Sequence, residues 1–190
     1  LMVKEGTIDD LKVMAEIFET TSKRRNFFYR SLEYYQRMYK HMKDLMTIYV
    51  AYLDPDIYYE HTQGLLDNAK KNYEGVLQKI EKLTAGDRLL NQKEEAERQV
   101  AKYEKELEKA EQFKKENPDG KAIGCLLSLR SGEEYLTLSS GVLMEDRQFT
   151  PKCLMYEHHI KEAYKEGFKY CNFYGITGDF NPENEYYGIY

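Results

Sequence analysis

Residues 56–117 have the sequence DIYYEHTQGLLDNAKKNYEGVLQKIEKLTAGDRLLNQKEEAERQVAKYEKELEKAEQFKKEN, and the architecture can be built outward from them. Apolar side chains recur three or four residues apart in each half, among residues that are mostly Lys and Glu. This pattern is typical of coiled-coil helices, which bury one narrow stripe and expose the rest. Residues 84–87 are turn formers, so we predict two antiparallel helices joined by a short turn. The predicted stripe consists of Leu66, Ala69, Tyr73, Leu77, Ile80 and Leu83, then of Leu89, Ala96, Val100, Tyr103, Leu107 and Ala110, and Lys93 interrupts it.

The segments on either side of this helical arm have the patterns of an α/β domain. Before it, residues 7–18 and 31–42 are predicted helices, and LMTIYVAYLD at 45–54 is a predicted buried strand. After it, the Pro and Gly of residues 117–120 end the arm. The later elements are predicted to be strands at 122–130 and 134–142, a helix at 151–166 and a strand at 168–175.

This order predicts a mixed α/β domain that is interrupted by a helical insertion. Residues 1–55 and 118–190 would form the two parts of the domain, and residues 56–117 the arm. The last residues, DFNPENEYYGIY, stop in mid-pattern, so we expect the natural chain to continue beyond Tyr190.

Bulk composition narrows the class of protein. The net charge of -5 argues against broad electrostatic capture of nucleic acid, although a local basic patch is compatible with it. Cys125, Cys153 and Cys171 form no CxxC pair and lie in apolar stretches, which predicts buried structural thiols in a reducing cytoplasm. No apolar run reaches the roughly 20 residues of a membrane span, so a soluble protein is expected.

Several common catalytic motifs are missing from the sequence. It contains no GxxxxGK[ST], GxGxxG, HExxH or GxSxG, which argues against nucleotide hydrolysis and zinc proteolysis. His158 and His159 are adjacent on a predicted helix and would point about 100° apart, which does not suit joint metal ligation. We therefore predict no metal site, and interpret both histidines as surface or satisfied core residues.

Two groups of residues are candidates for chemistry near the end of the chain. Glu157 shares a predicted helix face with Cys153 and Ile160, so we expect it to be partly buried, either in a structural pair or with a raised pKa that matters for catalysis. The turn NFYGITGDF places Gly175 and Gly178 just before Asp179. Such a turn at a strand end either borders a ligand cleft or is an ordinary loop.

A third candidate lies near the start, where KRRNFFYRSLEYY combines basic and aromatic residues. Arg30 and Tyr34 are four residues apart on a predicted helix and would share a face. An Arg beside a phenol is suited to holding a phosphate or a carboxylate. The alternative is an Arg that is stacked on a Tyr at the surface.

Taken together, these segments resemble the Fem family (FemABX) of aminoacyl-tRNA-dependent peptidoglycan aminoacyltransferases. The matching pieces follow one another across nearly the whole chain, and the arm between two strands and the final helix and turn are the most specific. They are RNFFYRSLEYYQRMY, IYVAYLD, the charged hairpin, AIGCLLSLRSGEEYLTLSSG, LMYEHHIKEAYKEGFKYCNFYGITGDF and EYYGIY.

The resemblance implies an acetyltransferase-like (GNAT-like) domain, the second of two in such enzymes. It implies transfer of Gly, Ala or Ser from aminoacyl-tRNA, as co-substrate and without another cofactor, to a lipid-linked or nucleotide-linked peptidoglycan precursor. Arg30 and Tyr34 match a substrate-binding motif, and the arm is expected to contact tRNA. Asp179 or Glu157 would orient the attacking amine, and Gly175 and Gly178 would border the substrate.

The resemblance also has implications for where the enzyme is located in the cell and for whether residues 1–190 alone are active. It implies a cytoplasmic enzyme, peripheral at the inner face of the membrane, that associates with related transferases. A Phe–Lys pair that is implicated in transfer would follow Tyr190, so we expect residues 1–190 alone to be inactive.

Two other interpretations remain open from the sequence. A small-molecule N-acetyltransferase would share the fold, but the sequence has no Q/R-x-x-G-x-G/A loop for coenzyme A. A non-enzymatic scaffold would use the arm for dimerisation or docking, since a coat of Lys and Glu is common on such helices.

Overall fold

The computed structural model describes residues 1–26, 28–42, 44–82, 86–173 and 181–183. Within them, five strands form one sheet in the order β1-β2-β3-β4-β5. The strands are β1 (Met2–Glu5), β2 (Met46–Leu53), β3 (Lys121–Ser131), β4 (Glu134–Val142) and β5 (Tyr170–Asn172). The helices are α1 (Asp10–Arg25), α2 (Leu32–Met42), α3 (Pro55–Lys82), α4 (Asp87–Glu116) and α5 (Pro151–Lys165), with a 3₁₀ helix at Met144–Phe149.

The sheet is mixed and the helical hairpin is inserted between two of its strands, which confirms the predicted fold class. β1 pairs with β2, and β3 with β4, in antiparallel fashion, whereas β4 and β5 are parallel. The chain divides into two compact units, one formed by Leu53–Lys121 with Leu1 and the other by Met2–Tyr52 and Ala122–Tyr190. The domain boundaries at residues 55 and 117 stay a prediction.

The first face of the sheet is covered by α1 and α2. The buried residues of α1 recur three or four positions apart, as a helix that packs on a sheet requires. They include Leu11, Met14, Ile17 and Phe18, and share a core with Ile48, Val50, Cys125 and Leu127. Gly141 permits the close approach of α1, because a Cβ atom there would lie 2.9 Å from side-chain atoms of Ile17 and Phe18. A larger residue at this position would push the helix off the strand.

The second face is covered by α5. Met155, His159 and Ala163 are buried at a spacing of four residues, which places them on one side of the helix. A Cβ atom at Gly124 would lie 3.0 Å from the terminal methyl of Met155, so this helix also approaches closely. The prediction that Cys153 is buried was wrong, because it lies on the exposed side of α5.

Three local features were not predicted. β1 is a four-residue strand at the edge of the described sheet, next to β2, and it is too short to show an alternating pattern. The 3₁₀ helix precedes α5. The β3–β4 register shifts between Leu127 and Ser128, so that Leu138 is an extra residue in β4. A bulge of this kind bends a strand and redirects its side chains.

In the arm, the buried seam of α3 differs in part from the predicted stripe. Leu66 and Ala69 are buried as expected, but Thr62 and Val76 are buried as well, whereas Leu77 is only half-buried. The spacing from Thr62 through Val76 alternates four and three residues, which is the heptad repeat. Leu83 lies outside the described residues. In α4 the fully buried residues are two alanines, Ala96 and Ala110, which allow the helices to approach closely.

Contacts along the arm fix its antiparallel register. Near its base, Lys114 Nζ lies 2.6 Å from Asp56 Oδ1, and the rings of Tyr58 and Phe113 meet edge-on at 5.8 Å. Farther out, the Tyr73 hydroxyl donates to Glu97 at 2.8 Å. The residue numbers of the contacting residues decrease along α4 as they increase along α3, as an antiparallel helix pair requires.

The start of α3 is capped by a side chain. The Asp54 carboxylate accepts hydrogen bonds from the backbone N–H groups of Asp56 and Ile57 at 3.0 and 2.9 Å. Pro55 occupies the first helical position, where its missing N–H is not needed. No described helix is long and apolar enough to cross a membrane.

Candidate functional site

An exposed cluster of Phe28, Arg30 and Tyr34, the arginine–aromatic cluster, is the candidate binding site in the described residues. The central carbon of the Arg30 guanidinium lies 4.9 Å from the ring centre of Phe28 and 5.1 Å from that of Tyr34. Both distances are within cation–π range. The aromatic rings are themselves accessible, since Phe28 is 76% and Tyr34 37% exposed. The structure therefore brings together the two residues that the sequence singled out.

The local structure differs from the prediction in one respect. Arg30 is not on the helix, because α2 begins at Leu32. The Ser31 hydroxyl accepts a hydrogen bond from the backbone N–H of Tyr34 at 3.4 Å, which is the role of an N-cap residue. Arg30 thus lies just before the cap, and it reaches Tyr34 by stacking over the first turn.

The next residue of α2 anchors the cluster to the core. Tyr35 is 6% exposed and packs against Phe18 of α1, with ring centres 5.7 Å apart. Burial raises the pKa of Tyr35, so this hydroxyl stays protonated at neutral pH. Tyr34 contacts the Tyr35 ring edge-on at 5.5 Å. One tyrosine therefore fixes the helix while its neighbour faces outward.

The guanidinium of Arg30 is available to bind an anion. Within the described part of the chain, the Arg30 guanidinium makes no ion pair with a carboxylate. Stacking covers the flat faces of a guanidinium, but its N–H groups point outward in its plane, where they can donate to a phosphate or a carboxylate. A tyrosine hydroxyl nearby adds a donor. The cluster is suited to binding an anionic ligand.

Glu157 does not have the environment that the sequence predicted. Partial burial was wrong, because its side chain is 56% exposed and pairs with Lys161 at 2.5 Å. The hydrogen bond from Lys161 lowers the pKa of Glu157, so this carboxylate is ionised at neutral pH. Its role in catalysis stays a prediction.

The turn that carries the other predicted site residues is not described. β5 ends at Asn172, and residues 174–180 lie outside the described part. Gly175, Gly178 and Asp179 fall in this segment, and their roles stay predictions.

The structure also contains a buried polar network that the sequence did not reveal. The tyrosine–histidine network consists of Tyr49, Ser128, Tyr135, Thr137 and His159. The hydroxyls of Tyr49 and Tyr135 are 2.7 Å apart, and the Tyr135 ring stacks on His159 with centres 4.5 Å apart. His159 Nδ1 lies 2.8 Å from Ser128 Oγ, and Nε2 lies 3.3 Å from Thr137 Oγ1.

This network holds α5 against the sheet. Its His159 and Tyr49 side chains do not change protonation near neutral pH. Burial lowers the pKa of His159 to about 4, and burial, reinforced by the hydrogen bond with Tyr135, raises that of Tyr49. His159 is thus a satisfied core residue, as one of the two sequence interpretations held. The described residues contain no group of three or more His, Cys, Asp or Glu arranged to hold a metal ion.

A half-buried ion pair lies at the edge of this network. The Arg130 guanidinium donates two hydrogen bonds to Glu166, each of 2.7 Å, and a third of 2.5 Å to the Thr47 hydroxyl. It also lies over the Tyr135 ring at 5.3 Å. This bidentate pair joins the end of β3 to the end of α5.

Comparison with known proteins identifies similar chains. The FemAB family model matches residues 1–190. The aminoacyltransferase FemA of Staphylococcus epidermidis is 26% identical over 181 residues, which are 95% of this chain and 43% of that protein. The Staphylococcus aureus FemA is 23% identical over 181 residues, with the same shares covered. The chain thus spans less than half the length of these relatives.

A solved structure gives the same picture of the fold. The crystal structure of FemX superposes on this chain with a TM-score of 0.71 at 24% sequence identity. The match covers 99% of this chain and 48% of the FemX chain. At this identity the likeness shows the fold. It agrees with the mixed sheet and inserted hairpin described above.

Proposed function

The chain belongs to the FemAB family, and we propose on this premise that it is part of an aminoacyltransferase of cell-wall synthesis. The enzyme would transfer Gly, Ala or Ser from aminoacyl-tRNA to the stem peptide or growing bridge of a peptidoglycan precursor. The observation that carries this proposal is the match of the family over the whole chain. The relatives named aminoacyltransferase FemA support the reaction type.

The reaction needs positioning and proton transfer rather than a covalent nucleophile. An amine of the precursor attacks the ester carbonyl that joins the amino acid to tRNA. The new C–N bond forms, the C–O bond to the ribose breaks, and the proton lost by the amine ends on the ribose oxygen. Catalysis then requires alignment of the two substrates, a proton acceptor, and stabilisation of the tetrahedral oxyanion.

We assign precursor binding to the arginine–aromatic cluster. A precursor that carries phosphate and carboxylate groups offers the anions that the Arg30 N–H groups and the Tyr34 hydroxyl can bind. The stacked rings hold the guanidinium in one orientation, which reduces the entropy lost on binding. The absence of an ion pair to Arg30 within the described residues supports this role.

We propose that Asp179 orients the attacking amine, with Gly175 and Gly178 allowing the substrate to approach the backbone. Glu157 is less suited to that task, since its carboxylate is exposed and already bound to Lys161. No further cofactor is proposed, because aminoacyl-tRNA is itself the activated donor. We place the enzyme in the cytoplasm, peripheral at the inner face of the membrane, and associated with related transferases.

The reaction can be tested directly. The full-length protein is incubated with tRNAs charged with Gly, Ala or Ser and with lipid-linked or nucleotide-linked precursor, and the product mass is measured. An increase equal to one of the three residues is the expected result. No added residue from any charged tRNA would reject the proposed function.

Replacing Arg30 with alanine in the full-length protein is expected to weaken precursor binding by about tenfold to a hundredfold, as a charge-assisted contact of about 1.5–3 kcal/mol is lost. Calorimetric titration measures the affinity. Arg37→Ala is the matched control, since Arg37 is an exposed arginine of α2 outside the cluster. Equal affinity of the Arg30 variant and the parent protein would rule out the assigned role.

A further inference from the structure

The segment between α1 and α2 concentrates positive charge in a chain whose net charge is -5. Residues 20–32 contain no acidic residue, although the chain as a whole has more acidic than basic residues. We name residues 23–31 the basic connection, since they begin in the last turn of α1 and end just before α2. Its cations are Lys23, Arg24, Arg25 and Arg30.

The carboxylates on either side of the basic connection interact with other residues. Glu19 forms an ion pair with Lys23 at 2.8 Å. Glu33 lies close enough to Arg37 for the two charges to attract each other. Within the described residues, the exposed Arg24 forms no ion pair with a carboxylate. Its positive charge is therefore uncompensated at the surface.

Phe28 is an exposed aromatic ring in the middle of the basic connection. Its side chain is 76% exposed, and the Arg30 guanidinium lies 4.9 Å from the centre of its ring. A single exposed apolar residue is common on protein surfaces and needs no partner. Here the ring lies in an irregular segment between arginines. An accessible aromatic side chain among cations is typical of segments that bind the interface of an anionic membrane.

Both ends of the basic connection are fixed to the domain. Asn26 ends α1 in the left-handed conformation, with φ 52°, and its backbone N–H donates to the carbonyl of Ser22. At the other end, the ring of Tyr35 packs against Phe18 in the core. The segment that carries Phe28 is thus held from both sides. Fixed ends reduce the entropy that such a segment loses when it binds.

We propose that the basic connection binds the anionic lipid surface of the membrane, an inference that rests on the proposed function. Arg24 and its basic neighbours bind lipid phosphates, and the Phe28 ring enters the headgroup region, where aromatic side chains are favoured. The phosphates of a lipid-linked precursor lie at this level of the membrane. Membrane binding therefore brings them to Arg30 and Tyr34 of the arginine–aromatic cluster.

The test measures co-sedimentation of the full-length protein with vesicles of equal parts phosphatidylglycerol and phosphatidylcholine, and with vesicles of phosphatidylcholine alone. We expect the parent protein to prefer the anionic vesicles. Arg24→Gln with Phe28→Ala should weaken that binding by about tenfold or more, since one interfacial cation alone contributes about fivefold. Equal binding of the parent to both kinds of vesicle would contradict recognition of anionic lipid.

A matched control changes the same types of residue elsewhere in the α/β domain. Arg147→Gln with Tyr164→Ala removes one exposed arginine and one exposed aromatic side chain. Both lie outside the basic connection, so this variant should bind anionic vesicles within about twofold of the parent.

A further variant measures whether the ring enters the membrane. Residues 1–190 contain no Trp, so Phe28→Trp adds a fluorophore whose signal is the difference between the variant and the parent protein. On addition of anionic vesicles its emission is expected to shift to shorter wavelength and to be quenched by brominated lipids. Tyr164→Trp, at a side chain that is 86% exposed, is the control and should keep its emission. An emission from Phe28→Trp that vesicles leave unchanged would contradict insertion.

The inference and the proposed function fail separately. If the protein transfers an amino acid to nucleotide-linked precursor but the double variant and its control bind anionic vesicles equally, the inference is wrong and the proposed function stands. If vesicle binding depends on Arg24 and Phe28 but no charged tRNA yields product, the proposed function alone is rejected. Loss of tRNA affinity in the double variant, with unchanged vesicle binding, would overturn the inference in favour of an RNA-binding surface.

Discussion

Replacing Tyr135 with alanine is expected to lower the free energy of unfolding by about 4 kcal/mol, the range for removing a buried aromatic side chain. The Tyr135 ring is completely buried and lies between His159 and Phe168, with ring centres 4.5 and 5.2 Å away. Its removal leaves a cavity between β4 and α5. It also leaves the Tyr49 hydroxyl without its partner at 2.7 Å. A loss of this size is a large part of the stability of an ordinary domain.

Tyr135→Phe separates the two contributions. This variant keeps the stacked ring and removes only the hydroxyl, so the expected loss is about 1–3 kcal/mol, the cost of one unpaired buried polar group. Tyr164→Ala is the control, since that side chain is 86% exposed and should change stability by less than about 0.5 kcal/mol. Urea unfolding followed by near-ultraviolet circular dichroism reports on packed tyrosines, whereas the far-ultraviolet signal is dominated by the arm. Equal stability of the alanine variant and the parent would disprove a central role for the network.

The arm was predictable because its signal is local. A stripe of apolar residues among Lys and Glu predicts both the helix and the face that it buries. The turn formers at residues 84–87 predict that the chain reverses direction. The prediction placed Leu77 rather than Val76 in the seam because both fit a spacing of three or four residues. The strict alternation of four and three is imposed by the partner helix, and that constraint is visible only in the pair.

The buried face of α5 was not predictable from hydrophobicity. The sequence favoured the side of Cys153 and Ile160, yet the buried side contains His159, a polar residue. Burying an imidazole is acceptable here because Ser128 and Thr137, on two strands, supply its hydrogen-bond partners. These partners are 31 and 22 residues away in the chain. A local pattern carries no information about them.

In the candidate site, too, some features could be predicted from the sequence and others could not. The composition around Arg30 was enough to single out an arginine with aromatic neighbours, although Arg30 precedes the helix, which begins at Leu32. The contact between Phe28 and the guanidinium was not predicted, since this residue is in an irregular segment with no period to follow. The family resemblance supplied the proposed function, since the residues alone left several classes of function open.

Acidification should destabilise the protein through His159 before most carboxylates begin to titrate. Burial lowers the pKa of this imidazole from 6.5 to about 4. In the unfolded chain the same group takes up a proton as the pH falls through 6.5. The folded state holds it neutral until about pH 4, so the unfolded state binds more protons in this window and stability falls with pH. The contribution is therefore fully present above pH 6.5 and is lost as the pH falls to 4, at a total cost of about 3 kcal/mol.

The pH dependence can be assigned to this one residue by substitution. His159→Gln removes the titrating group and keeps a side chain that can bond to Ser128 and Thr137, so its stability should change little between about pH 6.5 and 5. His41→Gln is the control, since it makes the same substitution at an exposed histidine outside the tyrosine–histidine network. Urea midpoints measured across this window give the slope directly. A parent protein whose midpoint stays constant from pH 6.5 to 5 would show that His159 does not remain neutral in the fold, because only a difference in proton binding between the two states makes stability depend on pH.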